Sequence, residues 1–308
     1  MLANNIRRNP FAIAPSLAFC LLLPFGVIGR FQIRSLGTVG ASLLMLVLTV
    51  LIFALPILFF FYLKGNVLPY FGFRQMTGEG FSVSVITGFL LCIGSILISG
   101  GLLRDTYDYK TYTLYGTVLD GIGDSLGGGI LLFFVAVLIP VLLEGIFFRG
   151  IMMYEYRHGG FLISALFSSL LYAMTAMDFQ YILIRFLLGF FLCLVGFLTG
   201  NILYSMLSHM IYAVFSLFAE KYFIFIAKEP ETNVLFFFVF SALFLFMLFL
   251  LIRAAEKMLR MRGAAEDAVP PRMPKGKRPL VLYDIFSAPM LWADIFCFSL
   301  FAILNIFL

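Results

Sequence analysis

Three residues stand out by type and spacing in a chain otherwise dominated by apolar side chains: Glu144, Arg149 and His209. Glu144 closes an apolar run that begins near Ile130, so its carboxylate is expected inside or at the edge of the hydrocarbon. Insertion scales put the cost of such a charge at roughly 3 kcal/mol, and it needs a partner or a wet cavity. It is therefore a functional-site candidate, the alternative being a structural pairing with a buried Arg or backbone group. In the apolar stretch 202–218, Ser205, His209 and Tyr212 follow i, i+4, i+7 spacing and share a helix face. Ser168, Tyr172 and Thr175 do the same in the stretch 161–177. If these faces meet Glu144, a carboxylate and an imidazole occupy one sheltered site. Such a pair can support acid–base chemistry or contribute to a metal centre. A catalytic zinc wants three protein ligands and an open position, and Glu144 with His209 supplies two. The other histidine, His158, follows Arg157 in a short loop about 20 Å beyond Glu144 along a helix axis. A lone membrane histidine also serves commonly as an interhelical hydrogen-bonding group.

The elements that must position these groups are membrane helices. The chain has 308 residues, 62% of them hydrophobic and 12% charged, with a mean hydropathy of +1.06. Soluble domains carry about 25% charged residues, so a soluble globular fold is excluded. Apolar runs near the roughly 20 residues needed to cross a bilayer recur at about 11–29, 40–63, 81–103, 130–153, 161–177, 181–199, 202–218, 234–252 and 285–308. The expectation is an all-α polytopic bundle of about 8–9 spans. The first run is the weakest, because Pro15 and Pro24 interrupt it and Arg30 and Arg34 follow at once; it could lie in the interface instead. Arg7 and Arg8 precede it as in a signal peptide, but no small-residue cleavage site follows, so it reads as a retained anchor.

Alternating nine spans puts Arg7, Arg8, Lys64, Arg74, Arg149, Arg157 and the basic residues of Arg253 to Arg278 on one side. Arg30, Arg34, Arg104, Lys110, Lys221 and Lys228 fall on the other. The positive-inside rule then places the N-terminus in the cytoplasm. Arg185, inside a span, is expected to snorkel to the interface or to answer Asp178 or Glu144.

Two stretches break the apolar rhythm. Arg104 to Gly129, with Asp105, Asp108, Asp120 and Asp124, lacks an EF-hand pattern and reads as a solvated loop. Arg253 to Arg278, with Pro270, Pro271 and Pro274, reads as a basic linker lying against anionic headgroups. The bilayer is thus the evident partner, and nothing beyond bare charge points to nucleic acid. Cys20, Cys92, Cys193 and Cys297 sit far apart in apolar surroundings and read as small buried hydrophobes. There is no phosphate-binding Gly loop, no H-E-x-x-H and no G-x-S-x-G.

The connections between the four stretches from 130 to 218 are only a few residues long, so these are antiparallel neighbours in one bundle. Within them Glu144-Gly145-Ile146-Phe147-Phe148-Arg149-Gly150 resembles the first motif, E-E-x-x-x-R, of the CAAX-protease and bacteriocin-processing family (CPBP, or Abi) of intramembrane metalloproteases. Ser168 to Met174 is similar to the second-motif helix. Leu188-Gly189 through Thr199-Gly200-Asn201 resembles the Gly-rich helix and turn before the third motif, and Leu207-Ser208-His209-Met210 falls where the third-motif histidine belongs. Tyr70-Phe71-Gly72-Phe73-Arg74 also has the family's look, so the likeness runs from about Tyr70 to Phe218.

The resemblance implies N-terminal spans and a cytoplasmic-side loop in 1–80 and a CPBP-like peptidase core in 81–218. C-terminal spans follow in 219–308, with a basic linker at 253–284. It further implies a bacterial-type cell membrane, a membrane-associated peptide or protein substrate, and zinc if the protein is active. Glu144, His209 and Arg149 would be the catalytic residues, with Glu144 and His209 as the metal ligands. Glu144 matches the acid that activates the attacking water.

The departures are specific. The second Glu is Gly145, which removes the i,i+4 pairing with Arg149. The histidine four places after Tyr172 is Ala176, and the Asn four places after His209 is Ala213. Thr175, Asp178 and Tyr212 are the polar residues near enough to compensate, although Asp178 lies about 200° round the helix from Ala176. Losing one oxyanion donor typically costs about 10²–10³ in rate, so the implied site is degenerate. Three functions follow from it: an active peptidase with altered site residues, an inactive pseudoprotease serving as a binding or regulatory partner, or a transporter with Glu144 as proton carrier. The last lacks a visible repeat or matched broken helices.

Overall fold

A computed structural model describes residues 37–64, 72, 75–102, 126–156, 159–176, 179–229, 233–263, 282–283 and 285–307. The 11–29 anchor, Arg157, His158, Asp178, most of the aspartate-rich loop and the Pro-rich part of the linker lie outside these residues. The described chain is helical and contains no strand. In chain order the helices are α1 (Gly37–Lys64), α2 (Gly78–Leu97, continued by a π turn at Ile98–Leu102), α3 (126–156), α4 (Phe161–Met174), α5 (Ile182–Thr199), α6 (Ile202–Phe218), α7 (Glu220–Lys228), α8 (Asn233–Gly263) and α9 (Pro289–Phe307).

Five of these are long and apolar enough to cross a membrane, or six if α6 and α7 form one bent span. These are counted among the described residues, and the expected 11–29 run lies outside them. The 161–177 run is helical only over Phe161–Met174, which falls short of a full crossing, and 202–218 merges with the helix that follows it. The last crosser, α8, does not stop at Arg253. It continues to Gly263, so the first part of the expected linker is helical. Its apolar side chains point outward, with Val234, Leu235, Phe238, Leu245 and Phe246 all exposed, as a lipid-facing helix requires.

The pairs α4–α5, α2–α6 and α2–α8 make the most extensive contacts, and α3 packs against α1, α4 and α6. The main core gathers Val137, Val141, Phe147, Phe148 and Ile151 of α3 with Leu171 and Tyr172 of α4, Leu188 of α5 and Met206 of α6. Small residues allow the closest approaches. A Cβ on Gly189 would lie 3.1 Å from the Ser169 Cα, which is how α4 and α5 come together so tightly.

Local chemistry sets the turn that delivers α6. Gly200 ends α5 in the left-handed region at φ 66°, and only glycine enters that region without a Cβ penalty. Asn201 then caps α6, its Oδ1 accepting from the Leu203 amide at 2.9 Å. Downstream, the Tyr204 hydroxyl donates to the Thr77 carbonyl at 2.8 Å and accepts from the Thr77 amide, while Thr77 itself caps α2. Asn201→Ala should therefore cost about 1 kcal/mol through the lost cap. Thermal unfolding in detergent measures it, and an unchanged midpoint would remove this cap from the account.

The helix α3 is irregular. Within it, α segments alternate with π segments at Phe133–Leu138 and Gly145–Met152. Pro140 has no amide proton and its ring crowds the carbonyl four residues back, so i→i+5 register just upstream accommodates it. The second π segment carries the site.

Candidate functional site

Glu144 is the last residue of an α segment, and the π segment Gly145–Met152 follows at once. In α geometry Glu144 and Arg149 would point about 140° apart. Closing i→i+5 rings brings residues five apart towards one face, so the stretch that departs from E-E-x-x-x-R still sets its acid and its cation to one side. The irregularity was not visible in the apolar pattern.

His209, on the inner face of α6, meets the acid. Its Nε2 lies 3.8 Å from Glu144 Oε2, with side-chain exposures of 7% and 13% respectively, so the pair is sheltered. The convergence expected from the stripes on α3, α4 and α6 is present. Beside them stands Tyr172 of α4, with no exposed surface. Its hydroxyl lies 3.3 Å from His209 Nε2 and accepts from Arg185 Nη1 at 3.2 Å. Its ring is edge-on to His209 and to Phe148. Arg149 lies over the same ring, its Cζ 4.4 Å from the centroid. Tyr172 thus touches every group of the site.

Arg185 turns inward towards Tyr172 and does not snorkel to the interface. There it faces the Glu144 carboxylate together with Arg149, and the Tyr172 hydroxyl also reaches that carboxylate. Arg149 is 5% exposed, and none of its three guanidinium nitrogens has a hydrogen-bond partner. The space where an i−4 carboxylate would meet it is closed. A Cβ on Gly145 would stand 2.7 Å from both Cγ and Cε of Met206. The second acid has been replaced by packing, not merely deleted.

The remaining expected helpers have other duties. Ser168 donates to the Phe148 carbonyl at 2.7 Å and Ser205 to the Leu192 carbonyl at 2.8 Å, clamping α4 to α3 and α6 to α5. Thr175 donates to the Tyr172 carbonyl at 2.6 Å and closes the end of its own helix. Ala176 lies in the turn after α4, packed with Tyr181, Ile184 and Ile224, so its position faces another cluster. Tyr212 is buried one turn beyond His209, with its hydroxyl 3.5 Å from Ser95 Oγ. Cys92 and Cys193 are buried, in keeping with their reading as apolar fillers, while Cys297 is only partly buried.

Zinc was the cofactor implied by the resemblance. Among the described residues no three of His, Cys, Asp and Glu come together as a ligand group. Glu144 and His209 provide two donors, and Tyr172 already contacts the imidazole nitrogen facing the acid, so the set does not fit a three-ligand catalytic zinc. What the arrangement can do is hold an acid and an oriented imidazole together in a sheltered site.

Two buried acids went unnoticed in the sequence: Glu220, with no exposed surface, and Asp294, 2% exposed. Each had a signal. Glu220 follows Ser216 at i+4 and is succeeded by further apolar residues, and Asp294 is a single acid inside the final apolar run.

Comparison with known proteins agrees with the motif reading. Residues 126–215 match the family model described as type II CAAX prenyl endopeptidase Rce1-like. No curated protein and no solved structure matches the chain. The match is narrower than the likeness drawn from the motifs, and it spans Glu144, Arg149, Tyr172, Arg185 and His209. Residues 126–215 of this helical membrane protein are therefore an Rce1-like, CAAX-protease-like segment, consistent with the CPBP family.

Proposed function

We propose that this CAAX-protease-like membrane protein has kept the family's intramembrane pocket without its hydrolytic chemistry, and that it acts as a binding or regulatory partner for a membrane-associated peptide or protein. One observation carries the reading: Tyr172 places its hydroxyl on the His209 nitrogen that faces Glu144, while Met206 fills the ground of the second acid. A water activated by Glu144 would need an imidazole free to orient it and a donor for the oxyanion. Here the imidazole nitrogen that faces Glu144 is engaged by Tyr172, and the Asn position is Ala213, packed against the core. The N-terminus is assigned to the cytoplasm on the distribution of Lys and Arg.

A second reading, an active peptidase with altered residues, draws on the retained 3.8 Å approach of Glu144 and His209. The two part company in one assay. The full chain in nanodiscs, given a farnesylated C-terminal CAAX peptide, is expected to retain the peptide uncut. Cleavage by the unaltered chain that disappears in Glu144→Gln would establish the peptidase reading instead. Failure to retain the peptide would remove this class of partner.

A further inference from the structure

A second buried carboxylate lies outside the Rce1-like segment. α6 and α7 meet at 57° with only Ala219 between them, and Glu220 opens the second helix at the bend. Its side chain is fully buried. Ser216 Oγ of α6 donates to Glu220 Oε2 at 2.6 Å, and Ser95 Oγ of α2 donates to Oε1. Ser99, on the π turn Ile98–Leu102, also acts on this carboxylate and has no exposed surface, yet its Oγ has no hydrogen-bond partner at hydrogen-bonding geometry. The cluster therefore joins one acid and three hydroxyls, drawn from a broken span and from a π turn facing it.

We propose that this cluster binds a small monovalent cation of the sodium class. The donors are all oxygen, which suits a hard cation, and the thiol of Cys92, at i−3 from Ser95, is a soft donor without a part in it. One carboxylate balances one positive charge. A divalent ion would leave a charge uncompensated in a low-dielectric interior, which is costly. A proton on Glu220 would also settle the charge, but it would give no stabilisation that saturates with sodium. Breaks in membrane helices recur at ion sites, because the turn frees carbonyl oxygens that can join the coordination. Arg185 also acts on Glu220, but less than any of the three serines.

The test uses the full chain in detergent, unfolded thermally while choline chloride is exchanged for sodium chloride at constant ionic strength. Sodium should raise the midpoint saturably, since a ligand that binds only the folded state stabilises it. Glu220→Gln, which keeps the shape of the side chain, should abolish the sodium response. Ser99→Ala removes a hydroxyl that makes no hydrogen bond of good geometry, so the fold should be retained while the half-saturating sodium concentration rises roughly tenfold. If Glu220→Gln does not fold, Ser99→Ala alone decides. A midpoint indifferent to sodium, or a response unaltered in these variants, overturns the site and leaves Glu220 as a structural bridge between α2 and α6.

Discussion

Gly145→Glu, the substitution that restores the family's second acid, is expected to destabilise the protein by about 3 kcal/mol or more, not to revive it. Overpacking a filled core costs about 1–3 kcal/mol, and a new buried carboxylate adds its desolvation. The clash is with Met206, both of whose Cγ and Cε would lie 2.7 Å from the new Cβ. The Cγ is close to the backbone and cannot swing away as a chain end can. Met206→Ala alone should cost about 2–5 kcal/mol by leaving a cavity. Combined with Gly145→Glu, it should return at least about 1 kcal/mol relative to the sum of the two, because each change answers the other. Denaturant unfolding of the four proteins in detergent measures the coupling. Additive effects would mean that Met206 is not what fills the missing acid's place.

Removal of Tyr172 should be the other severe change. Tyr172→Ala opens a cavity at a residue with no exposed surface and strips the aromatic face from Arg149, for about 3–5 kcal/mol in total. Tyr172→Phe separates the two roles. It keeps the ring under Arg149 but deletes the hydroxyl that meets His209 and Arg185, so a loss of about 1–3 kcal/mol is expected. The nitrogen-15 shifts of the His209 ring should move in Tyr172→Phe, since its Nε2 loses a neighbour. Unmoved shifts with an unchanged midpoint would show that the hydroxyl is incidental.

Much of this site could be read directly from residue types. The periodic stripes placed His209 and Tyr172 on inward faces, and the apolar run ending at Glu144 marked that acid, because helical spacing and hydrophobicity are local properties. Three features were not legible. The π segment Gly145–Met152 changes which residues share a face, and apolar sequence looks the same in either helical form. Met206 in the place of the lost acid is a contact between α3 and α6 across sixty-odd positions, and only packing reveals it. Arg185 reads in the sequence as a residue free to seek the interface, yet it bonds the Tyr172 hydroxyl and faces Glu144. Glu220 escaped notice for a related reason: beside Lys221 it looks like the polar end of a span, whereas the chain bends there and carries its acid inward.

The most direct examination of the account is an experimental map of the full chain in lipid, with metal analysis of the same sample, inspected between Glu144 and His209. The account predicts the Tyr172 hydroxyl at hydrogen-bonding distance from His209 Nε2 and no metal ion bridging the acid and the imidazole. A stoichiometric metal bound by Glu144 and His209, with Tyr172 turned away, would contradict it.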